Sequence, residues 1–116
     1  MGKKVEYKRD KSEVSDSTTP WDIVFEAVRV GYKLTIQNIS AEDEDTGFTE
    51  LRFGYKTQFD VFHWWVAQES PQAGVLYWMD QAKKLTEGMQ LVVRFDTTTN
   101  LDILKVYVDG YEEKVG

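Results

Sequence analysis

The sequence predicts an all-β protein: an antiparallel β-sandwich, jelly-roll-like, with about seven or eight strands. Residues 89–96 and 103–109 alternate between two faces, one of which is uniformly apolar, and this period of two is typical of half-buried strands. Turn residues recur at intervals of about 8–12 positions along the chain, which is the spacing found in sandwiches and barrels. The 116 residues suffice for one domain with one core.

The two alternating segments define the inward faces of the last two strands. The side chains predicted to point inward are Met89, Leu91, Val93 and Phe95 in the first segment, and Leu104, Val106 and Val108 in the second. The polar stretch TTTN at 97–100 predicts either a hairpin or a short connection between sheets. Asp109-Gly110 is expected to end the unit with a turn.

The elements before this pair follow in order. Residues 21–30, WDIVFEAVRV, predict a first strand with Trp21, Ile23, Phe25 and Ala27 on one face. Further strands are predicted at 32–40, 48–57, 58–67 and 75–80, and the connection at 81–88 has room for one helical turn. The sandwich domain is therefore expected to span 20–116, preceded by an extended polar arm over 1–19.

The arm and the body differ in charge. The net charge is −6, but residues 1–11 carry +3 and the remaining 105 residues −9. An acidic body argues against nucleic acid and anionic membranes as partners, and no signal peptide or membrane span is expected. Such an arm needs its own body or a neighbouring chain to order it. The residues expected to make arm contacts are Lys3, Lys4, Val5, Tyr7, Lys8 and Arg9.

The residue types needed for catalysis are scarce. With no cysteine and one histidine, the chain excludes thiol chemistry and argues strongly against a zinc site. His63 lies in the middle of a predicted strand between Phe62 and Trp64, which favours a packing or interface role. The acidic run 42–45 lacks the spacing of an EF-hand, so we interpret it as a solvated loop, with weak cation binding or docking of a basic segment as alternatives. We predict no enzyme activity, cofactor or metal.

An excess of aromatic residues is the most informative feature of the sequence. Residues 59–67 are apolar on both faces of their predicted strand, although each sheet of a sandwich buries only one. Some of these rings should be covered by the chain's own arm or loops, form a subunit interface, or make a platform for a glycan. The candidate interaction residues are Phe62, His63, Trp64, Val66, Tyr77 and Trp78.

The last two strands also resemble a known family. LTEGMQLVVRFDTTTNLDILKVYVDGYEE at 85–113 and GYKLTIQNIS at 31–40 are similar to the closing hairpin and first core strand of small β-sandwich structural proteins of tailed bacteriophages. The resemblance covers residues 21–112 and is one of pattern. It implies a protein of the virion surface, either a capsid decoration (cement) protein or an adsorption-apparatus subunit. Such proteins are commonly trimeric and have no catalytic residues.

Two functions follow as hypotheses. The first is a non-enzymatic structural protein of the virion surface, which self-associates and binds a protein lattice through its arm and aromatic face. On this hypothesis, removing residues 1–19 should leave the body folded and abolish assembly. The alternative is a carbohydrate-binding β-sandwich in which exposed Trp and Tyr rings stack on sugars.

Overall fold

The computed structural model describes residues 3–16 and 18–115. Nine strands and no helix lie in this part of the chain, which confirms the all-β prediction. The strands are β1 (Lys4–Val14), β2 (Trp21–Val24), β3 (Tyr32–Asp43), β4 (Glu50–Lys56), β5 (Phe62–Glu69), β6 (Tyr77–Met79), β7 (Lys83–Thr86), β8 (Gln90–Asp96) and β9 (Ile103–Lys114). Among the described residues, none belongs to a helix that could cross a membrane.

The strands form two antiparallel sheets with the order of a jelly roll. One sheet, called sheet A, has the order β1-β9-β3-β6, with β7 also pairing with β3, and the other, sheet B, has the order β2-β8-β4-β5. Because β6 and β7 pair with different halves of β3, they act as one interrupted edge strand. Counted as one, they give two four-stranded sheets in the jelly-roll arrangement, so the predicted fold class is confirmed.

The core lies between the two sheets. It contains the residues of the last two strands that alternation predicted to point inward. Leu91, Val93 and Phe95 of β8 face the buried set Leu104, Val106 and Val108 of β9. Since β8 and β9 lie in different sheets, residues 97–102 form the connection between sheets rather than a hairpin. The predicted turn at Asp109-Gly110 is wrong, because β9 continues to Lys114. Gly110 instead allows β9 to pass close to the backbone of β3.

The first predicted strand is shorter than its sequence pattern. β2 ends at Val24, and the next residues run beside β8 without regular strand pairing. The Phe25 N–H donates to the Leu91 carbonyl and the Val28 N–H donates to the Met89 carbonyl, both at 2.9 Å. This spacing buries Phe25 and Val28 and leaves Ala27 exposed, so the inward assignment of Ala27 is wrong. Residues 83–86, within the predicted connection, form β7.

Most of the predicted arm is a strand of the sandwich. Residues 4–14 pair with β9 from Lys4↔Glu113 to Val14↔Ile103 and form one edge of sheet A. Tyr7 is only 3% exposed and belongs to the core, and its hydroxyl donates to Glu26 at 3.0 Å. The segment therefore lies on its own body, and Tyr7, which was predicted to make arm contacts, belongs to the core instead.

Candidate functional site

The predicted interaction residues lie on opposite sides of the molecule. Phe62 and Trp64 pair with outward-facing positions of β4 and lie on the outer face of sheet B. Trp78 pairs with Ser40 and lies on the outer face of sheet A. Tyr77 is half-buried, packs against the core, and accepts a hydrogen bond from the Gln72 N–H at 2.9 Å. The six residues therefore do not form one platform.

Phe62 and Trp64 form a cluster with a partly buried ion pair on their own sheet. The two rings stack with centroids 5.6 Å apart, and the Arg94 guanidinium lies 4.7 and 4.8 Å from them. Arg94 also donates twice to Asp22, at 2.8 and 2.9 Å, and these hydrogen bonds raise its pKa. Because each group covers the next, both rings are half-buried, although β1 lies in the other sheet and does not cover them.

A bulge in β5 separates Val66 from this cluster. Trp64 pairs with Gly54 and Val66 with Phe53, which leaves Trp65 unpaired between them. The Trp65 ring packs against the core, and Val66 now shares the face of inward-pointing Phe53. Strict alternation along residues 59–67 would place Phe62, Trp64 and Val66 on one face, and the bulge shows that this expectation is wrong. A single inserted residue reverses a period-two pattern, and the sequence has no local mark of it.

The free edge of β5 is apolar and carries few charges. We call residues 59–69 the β5 edge. Phe59, Val61 and Val66 are exposed along it, and His63 stacks on Tyr55 with ring centroids 4.9 Å apart. β5 pairs only with β4, so one side of its backbone has no strand partner among the described residues. Neither Lys, Arg nor Pro interrupts the β5 edge, although edge strands commonly use such residues to prevent pairing with other chains.

The second exposed surface is a shallow groove across sheet A. We call it the Trp78 groove, because Trp78, which is 70% exposed, lines one side of it. The groove has a volume of about 410 Å³. Its other lining residues are Lys8, Asp10, Asn38, Ser40, Leu76, Tyr107, Val108 and Asp109. They come from four strands or their flanks, and strand register alone brings them together. Sequence reasoning missed all of them except Lys8 and Trp78, because no local pattern connects positions so far apart.

The acidic run at 42–45 is only partly a solvated loop. Glu44 and Asp45 are exposed, but Asp43 ends β3 fully buried. One carboxylate oxygen each from Asp43, Asp45 and Asp102 lies within 4.8 Å of the others, and we call these three residues the acidic centre. Burial, followed by the effect of the adjacent Asp102 carboxyl group, raises the pKa of Asp43 to about 7.

The acidic centre connects the loops at one end of the sandwich. The Asp102 carboxylate accepts hydrogen bonds from the Thr46 hydroxyl at 2.8 Å and the Thr99 N–H at 3.0 Å. Its backbone carbonyl accepts from the Ser15 N–H at 2.9 Å. The Gly74 N–H donates to the Asp43 carbonyl at 2.8 Å, so four connecting segments meet here.

Together, the strand order and the two packed sheets define an antiparallel β-sandwich. No family model and no curated protein sequence matches the chain. In fold it is similar to a protein of Bacillus endospore appendages, described as a novel family of disulfide-linked pili. The TM-score is 0.54 at 8% identity, and the match covers 100% of this chain and 92% of that one. The present chain has no cysteine, so it has no counterpart of a disulfide linkage.

Two further solved structures are more distant. A CBM4 structure matches with a TM-score of 0.40 at 13% identity, covering 87% of this chain and 70% of that one. A structure of infectious bursal disease virus, Gx strain, matches with a TM-score of 0.39 at 10% identity, covering 97% and 42%. The likeness to the appendage protein shows the fold alone, and these two are too distant to bear on function.

Proposed function

We propose that the protein is a non-enzymatic structural subunit that self-associates through the β5 edge. The observation that carries this proposal is the eight-residue strand β5, which has one unpaired backbone edge among the described residues and exposed apolar side chains beside it. A second copy can supply main-chain hydrogen bonds to such an edge and cover its side chains. An edge with this composition otherwise favours aggregation.

Charge supports β5 over the other long edge. β1 also ends a sheet, but it carries Lys4, Lys8, Arg9 and Lys11. Lys4 lies over the Tyr111 ring at 4.5 Å, and Arg9 bonds to Glu26 at 2.8 Å. β1 also carries Glu6, Asp10 and Glu13, so strand addition there would have to desolvate seven charged side chains. On the β5 edge only His63 and the carboxylates Asp60 and Glu69 can carry charge, so a second copy meets little repulsion.

The larger assembly that we propose is a virion surface. The resemblance of residues 21–112 to the sandwiches of tailed bacteriophages implies this location and a role in decorating a protein lattice. A protein shell offers repeated, identical contact sites, so a self-associated subunit gains affinity from binding several at once. Lys3, Lys4, Val5, Lys8 and Arg9 remain proposed contacts with that lattice.

A charge on the β5 edge is expected to reduce self-association. Val66→Lys replaces a 41% exposed apolar side chain and should weaken association at least about tenfold, because a lysine must then be desolvated at the contact. The matched control is Val5→Lys on β1, where the valine is 51% exposed. Light-scattering mass across a concentration series gives the association constant. A wild-type chain that stays monomeric at high concentration, or equal effects of both variants, would contradict the proposal.

The Trp78 groove favours a second function, binding of a carbohydrate. A sugar ring has an apolar face and a polar rim, and the groove pairs Trp78 and Tyr107 with the polar groups of Asn38, Ser40 and Asp109. Exposed rings beside a few hydrogen-bonding groups are the usual composition of a small-ligand site. The groove is open along sheet A, so the ligand class would be an oligosaccharide rather than an enclosed monosaccharide.

Removing the Trp78 ring is expected to abolish glycan binding if this second function is correct. A glycan array would identify a ligand, and titration calorimetry would compare Trp78→Ala with wild type. We expect a loss of affinity of at least about tenfold, as for an aromatic hot spot. Phe59→Ala is the matched control, since Phe59 is 78% exposed at a different surface. No bound glycan on the array, or unchanged affinity in Trp78→Ala, would exclude this function.

A further inference from the structure

The acidic centre buries two carboxyl groups side by side, without a basic partner in the described part of the chain. Asp43 is fully buried and Asp102 is 3% exposed. Within residues 3–16 and 18–115, neither carboxylate forms an ion pair with Lys or Arg. The neighbouring Lys105 pairs with Glu44 instead, at 2.7 Å. Burying two adjacent carboxylates is costly unless a proton or a cation offsets their charge.

One oxygen of the acidic centre has unused bonding capacity. Asp43 Oδ1 accepts from the N–H groups of Asp45 and Thr46, at 2.9 and 3.1 Å. Asp43 Oδ2 is buried and has no hydrogen-bond partner in the described part of the chain. A buried acceptor without a partner is uncommon in native proteins and points to a missing group, such as an ion.

The spacing and chemistry of the three carboxylates suit calcium. All the side-chain atoms that could coordinate an ion here are hard oxygens, the ligands that calcium prefers. Two oxygens bound to one calcium ion at about 2.4 Å can lie at most about 4.8 Å apart, and calcium accepts irregular sets of oxygen ligands, whereas magnesium requires near-ideal octahedral geometry and gives up its waters reluctantly. The oxygens of the acidic centre lie within 4.8 Å of one another.

We propose that Asp43, Asp45 and Asp102 bind a calcium ion that holds together the loops at this end of the sandwich. Asp45 is exposed and provides the side from which the ion enters and keeps its water ligands. Asp43 contributes the buried oxygen that has no other partner. Asp102 comes from the connection between sheets, so the ion joins β3 to the start of β9. This site is separate from the β5 edge and the Trp78 groove, and its existence depends on neither proposed function.

Calcium binding to the full chain tests the proposal directly. Metal-free protein at pH 8 is titrated with calcium chloride by calorimetry, and thermal unfolding is recorded with and without the ion. We expect one site per chain and a higher unfolding midpoint in calcium, because the ion binds the folded state. Magnesium chloride at the same concentrations should give a much smaller shift.

Variants of two neighbouring acidic residues distinguish a specific calcium site from a general effect of negative charge. Asp45→Asn should weaken calcium binding at least about tenfold by removing one ligand charge, while its amide oxygen can still accept the Ile103 N–H, which is 2.7 Å from Asp45. Glu44→Gln, the matched control, should leave the affinity unchanged. No calorimetric signal and no shift of the midpoint at millimolar calcium would overturn the proposal, and so would equal losses in the two variants. In that case a proton shared by Asp43 and Asp102 offsets the charge.

Discussion

Deletion of residues 1–14 is expected to remove most of the stability of the sandwich, which for a domain of this size is about 5–15 kcal/mol. The deletion leaves β9 with an unpaired edge and opens the core beside Val106 and Val108, which are now at most 2% exposed. It also removes the hydrogen bond from Lys11 Nζ to the Val24 carbonyl, at 2.7 Å. Urea denaturation followed by circular dichroism measures the loss.

Substitutions at Tyr7 give the same test without truncation. Tyr7→Ala should cost about 3–5 kcal/mol, as for other large-to-small changes in a core. Tyr7→Phe keeps the ring and loses only the hydrogen bond to Glu26, so it should cost about 1 kcal/mol. If the truncated chain kept the wild-type unfolding midpoint, residues 4–14 would be dispensable to the fold and free to act as the predicted arm.

Gly54→Ala is expected to destabilise the chain by about 3 kcal/mol, the upper part of the range for overpacking. A Cβ at this position would lie 2.1 Å from the His63 carbonyl oxygen, 2.7 Å from Trp64 Cε3 and 2.9 Å from Trp64 Cα. Two of these three are backbone atoms, which cannot move without separating β5 from β4. The displaced strand also carries the proposed contact, so self-association should fall as well. Chemical denaturation and light-scattering mass measure the two effects.

Gly74→Ala is the control for Gly54→Ala. A Cβ at Gly74 would lie in open space, but the φ of +70° is unfavourable for alanine, so we expect a cost of about 1–2 kcal/mol. Self-association should not change, because Gly74 lies outside the β5 edge. A cost for Gly54→Ala well below that of Gly74→Ala would contradict the expected effect of the close approach of β5 to Gly54.

Sequence reasoning was most successful where one local pattern reports one physical requirement. Alternation in β8 and β9 identified the buried residues Leu91, Val93, Phe95, Leu104, Val106 and Val108, because every second side chain of a half-buried strand faces the core. It failed where backbone irregularities change the register. The irregular backbone between Phe25 and Val28 and the bulge at Trp65 each reverse the face on which the next residues lie. Both irregularities depend on the neighbouring strand.

By itself, the sequence determined the all-β class, the alternating apolar and polar faces of the last two strands, and the lack of thiol chemistry. These properties follow from residue type and spacing. Only the tertiary structure decided that residues 4–14 are an edge strand and that Phe62 and Trp64 lie on the opposite side from Trp78. It also decided that Asp43 and Asp102, 59 positions apart, share one acidic centre. Pairing between distant strands makes these arrangements, and hydrogen bonds between backbones are the same for every sequence, so no local pattern of side chains encodes them.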